Sequence, residues 1–342
     1  MMFAANSRLV RLSAGLTGVA VALTTVLSGG AGYAKQPDPA LGDAARAAQH
    51  ALGRTAGLGP VTTQATDELN FGDLTGDGKA DLAAVDTAGR LWVYPGKALV
   101  YPGTGPRSTS YFAARFQAGS GWSGYSSLVR HGDWNNDGRQ DILARDASGR
   151  LFLFAGTGTT PRVVQNGVQV GEGWNTYADL VGIGDANGDG FDDLMGRAAG
   201  RLVIYYGTGV ATAPFRRTTA TGGSGWNGDL LTAVGDWTGD GHTEFLFRKS
   251  NDEVWLYQGT TSGFPANGPV LLFGQDDGGL VVDLVGMGNL TSDAVVDGEP
   301  VTQPLPDVVL TDSDGFMYVL APDTGDDFDP QVGSGWVDYF LF

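Results

Sequence analysis

The chain contains no cysteine. That excludes a disulfide framework, a thiolate metal site and a cysteine nucleophile. Packing, strand ladders or bound cations must then hold the fold together. Histidine is scarce too. His50, His131 and His242 are the whole complement, and no two stand at the His-x-x-x-His spacing of a zinc hydrolase. Positive charge is in the minority, with 21 Lys and Arg against 38 Asp and Glu, giving a net charge of −17. Nucleic acid and anionic membrane, which need basic patches, are therefore poor partners, and cations are natural ones. The Gly222–Trp226 stretch has tryptophan where a nucleophile elbow needs its last glycine, and Asp73 stands where a phosphate loop would begin with glycine.

Long apolar runs are also missing. The run Ala14–Leu27 is about 14 residues, against the roughly 20 that a membrane span requires. It follows Arg8 and Arg11 and leads through small residues to Gly32-Tyr33-Ala34. This is a secretory signal pattern with cleavage after Ala34, so residues 1–34 read as a signal peptide, with an uncleaved anchor as the alternative. Removing Arg8 and Arg11 leaves a net charge of −19, because residues 1–34 hold no acid. No membrane insertion is expected after cleavage. Residues 35–66 read as a leader, with Asp43–Leu52 as a short alanine-rich helix between Pro- and Gly-containing linkers.

What the chain has in abundance is glycine, 55 residues of it, alongside alternating apolar and β-branched segments. The pattern indicates tight turns between short strands. The stretch Asp185–Asp193 places oxygen-bearing side chains at positions 1, 3, 5 and 9 and a glycine at position 6, a loop suited to wrapping a hard cation. Such loops begin at Asp73, Asp133, Asp185 and Asp236, with a degenerate fifth at Asn289. A second marker, Gly-x-Gly-Trp, ends at Trp122, Trp174, Trp226 and Trp336, and the first three tryptophans are 52 residues apart. Two independent markers thus keep one period.

Each period reads as four short strands. In the second unit these are expected at Ser127–Gly132, Asp141–Asp146, Leu151–Phe154 and near Arg162–Val170. Four antiparallel strands in about 50 residues is the size of a β-propeller blade. The expected fold is therefore all-β: a five-bladed propeller over residues 67–342, with blades around 67–118, 119–170, 171–222, 223–274 and 275–342. The last Gly-x-Gly-Trp is followed by Val337–Phe342 with no unit after it, so this strand is expected to complete the first blade and close the ring. A linear β-solenoid is the structural alternative.

Gly72–Leu82 and its counterparts, each followed by a Gly-Arg-Leu start to the next strand at Gly89, Gly149 and Gly200, resemble the FG-GAP/VCBS repeats related to the calcium-bearing propeller of integrin α-subunits. The resemblance implies that each loop joins the first two strands of a blade, with side-chain ligands at positions 1, 3, 5 and 9 and a backbone carbonyl at position 7. Carried onto this chain, loop 1 offers Asp73, Thr75, Asp77, the Lys79 carbonyl and Asp81. Loop 2 offers Asp133, Asn135, Asp137, the Arg139 carbonyl and Asp141. Loop 3 offers Asp185, Asn187, Asp189, the Phe191 carbonyl and Asp193. Loop 4 offers Asp236, Thr238, Asp240, the His242 carbonyl and Glu244. The implied cofactor is Ca2+ at about four sites. Loops 2 and 3 read as the best, and loop 5 (Asn289, Thr291, Asp293, with Asp307 after an insertion) as empty. An EF-hand would need flanking helices and a glutamate at position 12, and self-bonded acidic turns would need no ion.

The five-fold count with Gly-x-Gly-Trp signals also resembles five-bladed tachylectin-type sugar binders. Trp122, Trp174, Trp226 and Trp336 are read either as packing between blades or as stacking platforms for sugars. The expected function is a secreted, extracellular, non-catalytic binding module for carbohydrate or cell-surface protein. A calcium-dependent polysaccharide lyase or hydrolase is the enzymatic alternative. Mass spectrometry of the exported protein should find its N-terminus at Lys35; a mature chain retaining Arg8 and Arg11 would overturn the cleaved-signal reading.

Overall fold

The computed structural model describes residues 72–97, 111–238, 240–265, 268–275, 281–288, 290, 295–296, 299–300, 306–320, 333–334 and 339–342. The signal segment, the Asp43–Leu52 helix and Trp336 lie outside them. Among the described residues no helix is long and apolar enough to cross a membrane.

The described chain forms five four-stranded antiparallel blades in a propeller ring. Blade 1 contains β1 (Leu82–Asp86), β2 (Arg90–Tyr94) and β3 (Phe116–Ser120). Blade 2 contains β4 (Tyr125–Val129), β5 (Ile142–Asp146), β6 (Leu151–Phe154) and β7 (Val168–Gly171). Blade 3 contains β8 (Asp179–Gly184), β9 (Asp193–Ala198), β10 (Arg201–Gly207) and β11 (Phe215–Ser224). Blade 4 contains β12 (Gly228–Gly235), β13 (Glu244–Lys249), β14 (Val254–Tyr257) and β15 (Val270–Phe273). Blade 5 begins with β16 (Val281–Gly286). Its insertion carries a separate ribbon of β17 (Val295–Val296) and β18 (Glu299–Pro300), and the blade continues with β19 (Val308–Asp312), β20 (Phe316–Leu320) and β21 (Gly333–Ser334). The last strand, β22 (Tyr339–Leu341), pairs with β1 in the register Ala84↔Leu341 and Asp86↔Tyr339. It supplies the first-position strand of blade 1, as the unmatched C-terminal signal indicated.

Burial explains why these segments are strands. β1, β5, β19 and β20 are buried at every position, because neighbouring blades cover both faces of the sheet. β6 and β14 alternate buried and half-buried residues. The core is divided into clusters that each bridge two blades. One joins blades 1 and 2 through Leu91, Trp122 and Ile142; another joins blades 2 and 3 through Trp134, Leu153, Trp174 and Leu194. Others link blades 3 and 4, 4 and 5, and 5 and 1.

Two differences from the expected strands have local causes. The first strand of blade 2 stops at Val129, because the buried Arg130 turns toward the Asp81 carbonyl and Met287 and His131 adopts a φ of 77°. The fourth begins only at Val168. Pro161 has no amide to donate, and Val164 makes an isolated bridge to Gly156.

The Gly-x-Gly-Trp signal is a blade junction. In the first and second copies the second glycine, Gly121 or Gly173, takes a φ of 87° or 78° and opens a short 3-10 turn that begins at the tryptophan. The tryptophan amide then donates to the hairpin glycine of the preceding blade: Trp122 to Gly89, Trp174 to Gly149 and Trp226 to Gly200, at 3.0, 3.0 and 3.2 Å. Arginines reinforce the junctions. Arg145 donates to the carbonyls of Trp174 and Tyr177, Arg197 to that of Trp226, and Arg248 to that of Val281, each reaching the start of the next blade.

Closure depends on β22. Arg115 donates to both Tyr94 and Tyr339 hydroxyls at 2.7 and 2.6 Å while stacking 4.3 Å from the Trp92 ring centroid. Deleting residues 339–342 should lower the melting temperature on the order of 10 °C and promote association through the bared β1 edge. Calorimetry and light scattering check this, and an unchanged melting temperature would remove β22 as the closing element.

Candidate functional site

Each acidic loop is folded by its own carboxylates. The position-1 aspartates Asp73, Asp133, Asp185 and Asp236 accept amide hydrogens from residues up to position 6 at 2.6–3.2 Å. The position-6 glycines Gly78, Gly138, Gly190 and Gly241 have φ values of 82°, 82°, 87° and 88°, which a side chain would strain. The position-5 aspartates Asp77, Asp137, Asp189 and Asp240 accept the amide of position 7, fixing Lys79, Arg139, Phe191 and His242 in the turn.

The position-9 acid does more. Asp81, Asp141, Asp193 and Glu244 have no exposed surface. In Asp81, Asp193 and Glu244 one carboxylate oxygen bonds back into the loop, at Leu74 and Thr75, Ala186 and Asn187, or Thr238, and the other accepts the amide of the glycine leaving the third strand, Gly96, Gly207 or Gly259, at 3.1, 2.8 and 3.2 Å. In Asp141 a single oxygen, Oδ1, accepts from both the Asn135 side chain and the Gly156 amide, at 3.2 and 2.8 Å. The longer Glu244 makes the same two links as the aspartates. In blade 5, Asp307 is equally buried and accepts the Leu290 amide at 2.6 Å. It keeps the closing role across the insertion. Asn289, Thr291 and Asp293 lie outside the described residues.

Carboxylate oxygens converge within 4.8 Å of one another in loop 1 (Asp73, Asp77, Asp81), loop 2 (Asp133, Asp137, Asp141) and loop 4 (Asp236, Asp240, Glu244). Loop 3 repeats the hydrogen-bond pattern but is not among the three that meet this distance. The donor set fits a hard cation on a further observation. The Oδ1 of Asn135, the Oδ2 of Asp141 and the Oγ1 of Thr238 are buried without a hydrogen-bond partner, and they occupy positions 3, 9 and 3 of their loops. Buried oxygen atoms left so are costly unless something positive meets them. The position-1 carboxylates, although bonded to amides, retain lone pairs. An all-oxygen set drawn from flexible loop positions matches calcium better than magnesium, which holds its waters.

Electrostatics agrees. Burial, aided by the other carboxylates of each loop, pushes Asp81 up to about 6 and Asp141 and Asp193 up to about 7, and raises Glu244 well above the usual carboxylate range. Ionised at neutral pH, these acids call for a positive counter-charge.

The glycine-tryptophan residues sit differently from sugar platforms. Trp122 and Trp174 are 6% and 8% exposed. Their rings are covered by Tyr125 and Phe154, and by Tyr177, Tyr205 and Phe215. Trp226, half-buried, packs on Phe247 and Tyr257. Beside Trp174, however, a groove of about 640 Å³ opens between blades 2 and 3, lined by Glu172, Trp174, Tyr177, Tyr205, Phe215 and Arg217 among others. The Tyr177 and Tyr205 hydroxyls share a 2.5 Å hydrogen bond on its wall. Burial, and then that bond, raise the Tyr205 phenol, so it stays neutral. The repeat pattern gives no sign of this groove. Sequence reasoning also misses the junction arginines, although Arg145, Arg197 and Arg248 each stand four residues after the closing acid, a repeated spacing that marks them.

Residues 73–144 and 133–196 each match the FG-GAP-like repeat family. Among solved structures the chain is similar to the BP39L lectin from Burkholderia pseudomallei, at 15% identity over 73% of this chain and 64% of the lectin, with a TM-score of 0.41. It is also similar to AofleA from Arthrobotrys oligospora, at 9% identity over 78% of this chain and 72% of that one, with a TM-score of 0.40. The chain therefore spans less than two thirds of the length of that lectin. No curated protein sequence matches it.

The raised carboxylates set a sign for pH dependence. A group whose folded pKa lies above its unfolded value near 3.9 stabilises the fold at low pH and loses that contribution as pH rises through the folded value. In EDTA the melting temperature should therefore fall between about pH 4 and pH 7. With millimolar calcium, which binds only the ionised form, it should rise over the same range. Parallel profiles with and without calcium would sink the structural-cation assignment.

Proposed function

This chain is a five-bladed propeller of FG-GAP-like repeats, and from that premise we propose that it is a secreted, calcium-stabilised, non-catalytic module that binds carbohydrate. Calcium would be held by loops 1 to 4 through their oxygen side chains. It would supply positive charge where three carboxylates of one loop crowd together, and its contribution would be to folding stability.

The observation that carries the ligand reading is the groove between blades 2 and 3. Half-buried Tyr205 and Phe215 and the edge of Trp174 present aromatic surface, and exposed Glu172 and Arg217 stand among its lining residues. A sugar ring offers an apolar C–H face and a rim of hydroxyls, and this lining supplies a counterpart for each. A carboxylate and a guanidinium also provide an acceptor and a forked donor for adjacent hydroxyls.

A protein-docking face is less well supported. Among the described residues the exposed large apolar ones are Val168, Val210, Leu271 and Phe340, which fall on four different blades. Contiguous recognition patches are built differently.

A glycan array probed in calcium, with an Arg217→Ala variant alongside, tests the reading. Arg217 is exposed, so the variant should keep the wild-type melting temperature and lose at least about tenfold in affinity, the cost of removing a charged hydrogen-bonding partner. Absence of any glycan signal in calcium, or full affinity in the variant, would overturn it.

A further inference from the structure

We propose that loops 2 and 3 form one brace beneath the groove, so that cation binding there, and not at loops 1 and 4, fixes the groove wall. The proposal rests on the carbohydrate reading only for what the groove binds. The brace itself follows from contacts on the two loops.

The wall in question is the connection 207–215, which runs from the end of β10 into β11 and contributes Thr212, Ala213, Pro214 and Phe215 to the groove. It is internally compact: the Thr208 amide donates to the Pro214 carbonyl at 3.0 Å and the Thr208 hydroxyl to the Ala213 carbonyl at 2.6 Å. Its first residue, Gly207, donates to Asp193 Oδ1, the closing acid of loop 3, at 2.8 Å. Its Gly209 lies directly on both loops. A Cβ there would come within 2.5 Å of the Phe191 ring in loop 3 and 3.2 Å of Asn136 Cβ in loop 2.

Loop 2 holds the other end. Trp134, at position 2, is 1% exposed and meets Phe215 edge-on, with centroids 6.2 Å apart. Phe215 meets Trp174 at 6.1 Å. This wall residue therefore contacts one tryptophan from a cation loop and one from a blade junction. The two loops are themselves joined, because Asp192 Oδ2 of loop 3 accepts the Asp133 amide at the head of loop 2 at 2.6 Å. Asp192 occupies position 8 and is not among the implied ligands. Parts of the arrangement recur: Gly158 of blade 2 lies against Gly76 of loop 1 and Arg139 of loop 2, and Trp237 of loop 4 packs into the cluster of blades 4 and 5 as Trp134 does into that of blades 2 and 3. Loops 2 and 3 add the Trp134–Phe215 contact and the Asp192–Asp133 bond, and loop 1 has Leu74 where loop 2 has Trp134.

Loop 2 also carries two of the three orphaned oxygens at implied ligand positions, Asn135 Oδ1 and Asp141 Oδ2, the latter on a fully buried side chain. Three carboxylates of one loop repel one another until a cation joins them. Loops 2 and 3 pass that change to the wall through Trp134–Phe215 and Asp193–Gly207, which makes Trp134 and Asp193 positioning residues for the groove.

Hydrogen exchange of the full chain, titrated with calcium alone, reads the brace without any sugar. Segment 207–215 should exchange at least about tenfold more slowly in calcium than in EDTA. Asp189→Asn in loop 3 should abolish this gain. Asp77→Asn in loop 1 should lower the melting temperature and retain it. Trp134→Leu keeps every oxygen donor, so it should preserve calcium stabilisation yet lose most of the protection at 213–215. Calcium-independent exchange of 207–215, or equal loss in the Asp77 and Asp189 variants, would overturn the proposal. A failed glycan array would remove the ligand assignment and leave these exchange results standing.

Discussion

A carboxylate with no contact with solvent closes every acidic loop of this propeller, and the surrounding structure is arranged to meet its hydrogen-bonding needs. Asp81, Asp141, Asp193 and Glu244 each join three things: the head of the loop, the start of the second strand and the glycine at which the third strand ends. A buried acid cannot stand idle, so the backbone amides that reach it are fixed by its presence. Asp307 does this in blade 5 even though its loop has been opened by an insertion and a small ribbon. The architectural task of the closing acid is therefore separable from cation binding. The first need applies to all five blades, the second to the loops that retain carboxylates at positions 1 and 5.

Most of this frame was legible in the amino-acid sequence, because a propeller repeats its chemistry at a fixed period. The loops, the blade number and the closing strand all follow from two markers that keep step. Other features were not legible, and for different reasons. The first strand of blade 2 ends early because Arg130 is drawn across the ring to the Asp81 carbonyl and Met287, contacts that no local pattern announces. The tryptophan rings are covered by aromatic residues of the blade each one leads into, so ring faces that look available in the sequence are occupied in space. The arginine staples keep a repeated spacing, but their partners are backbone carbonyls, which carry no sequence signature.

The groove belongs to a further class. Repetition specifies what every blade must do, and so it specifies scaffold. The groove arises where the repeats differ: Tyr177 and Tyr205 meet through their hydroxyls, and Phe215 contacts both Trp134 and Trp174. Single side chains recur, as Trp237 for Trp134 and Tyr257 for Tyr205 in blade 4, but loop 1 carries Leu74 and blade 2 Phe154 at these positions. Reading function in a repeat protein of this kind means subtracting the repeat and examining the remainder.

The pairing of β22 with β1 has a consequence for the order in which the molecule is built. Ala84 and Leu341 are neighbours in the finished sheet but stand near opposite ends of the described chain. Blades 2, 3 and 4 draw all their strands from contiguous sequence and are able to assemble as the polypeptide emerges. Blade 1 has three strands and an open edge until β22 is in place. Ring closure is thus the pairing with the largest separation along the described chain, and the time it takes is time in which an unpaired edge is exposed to other chains.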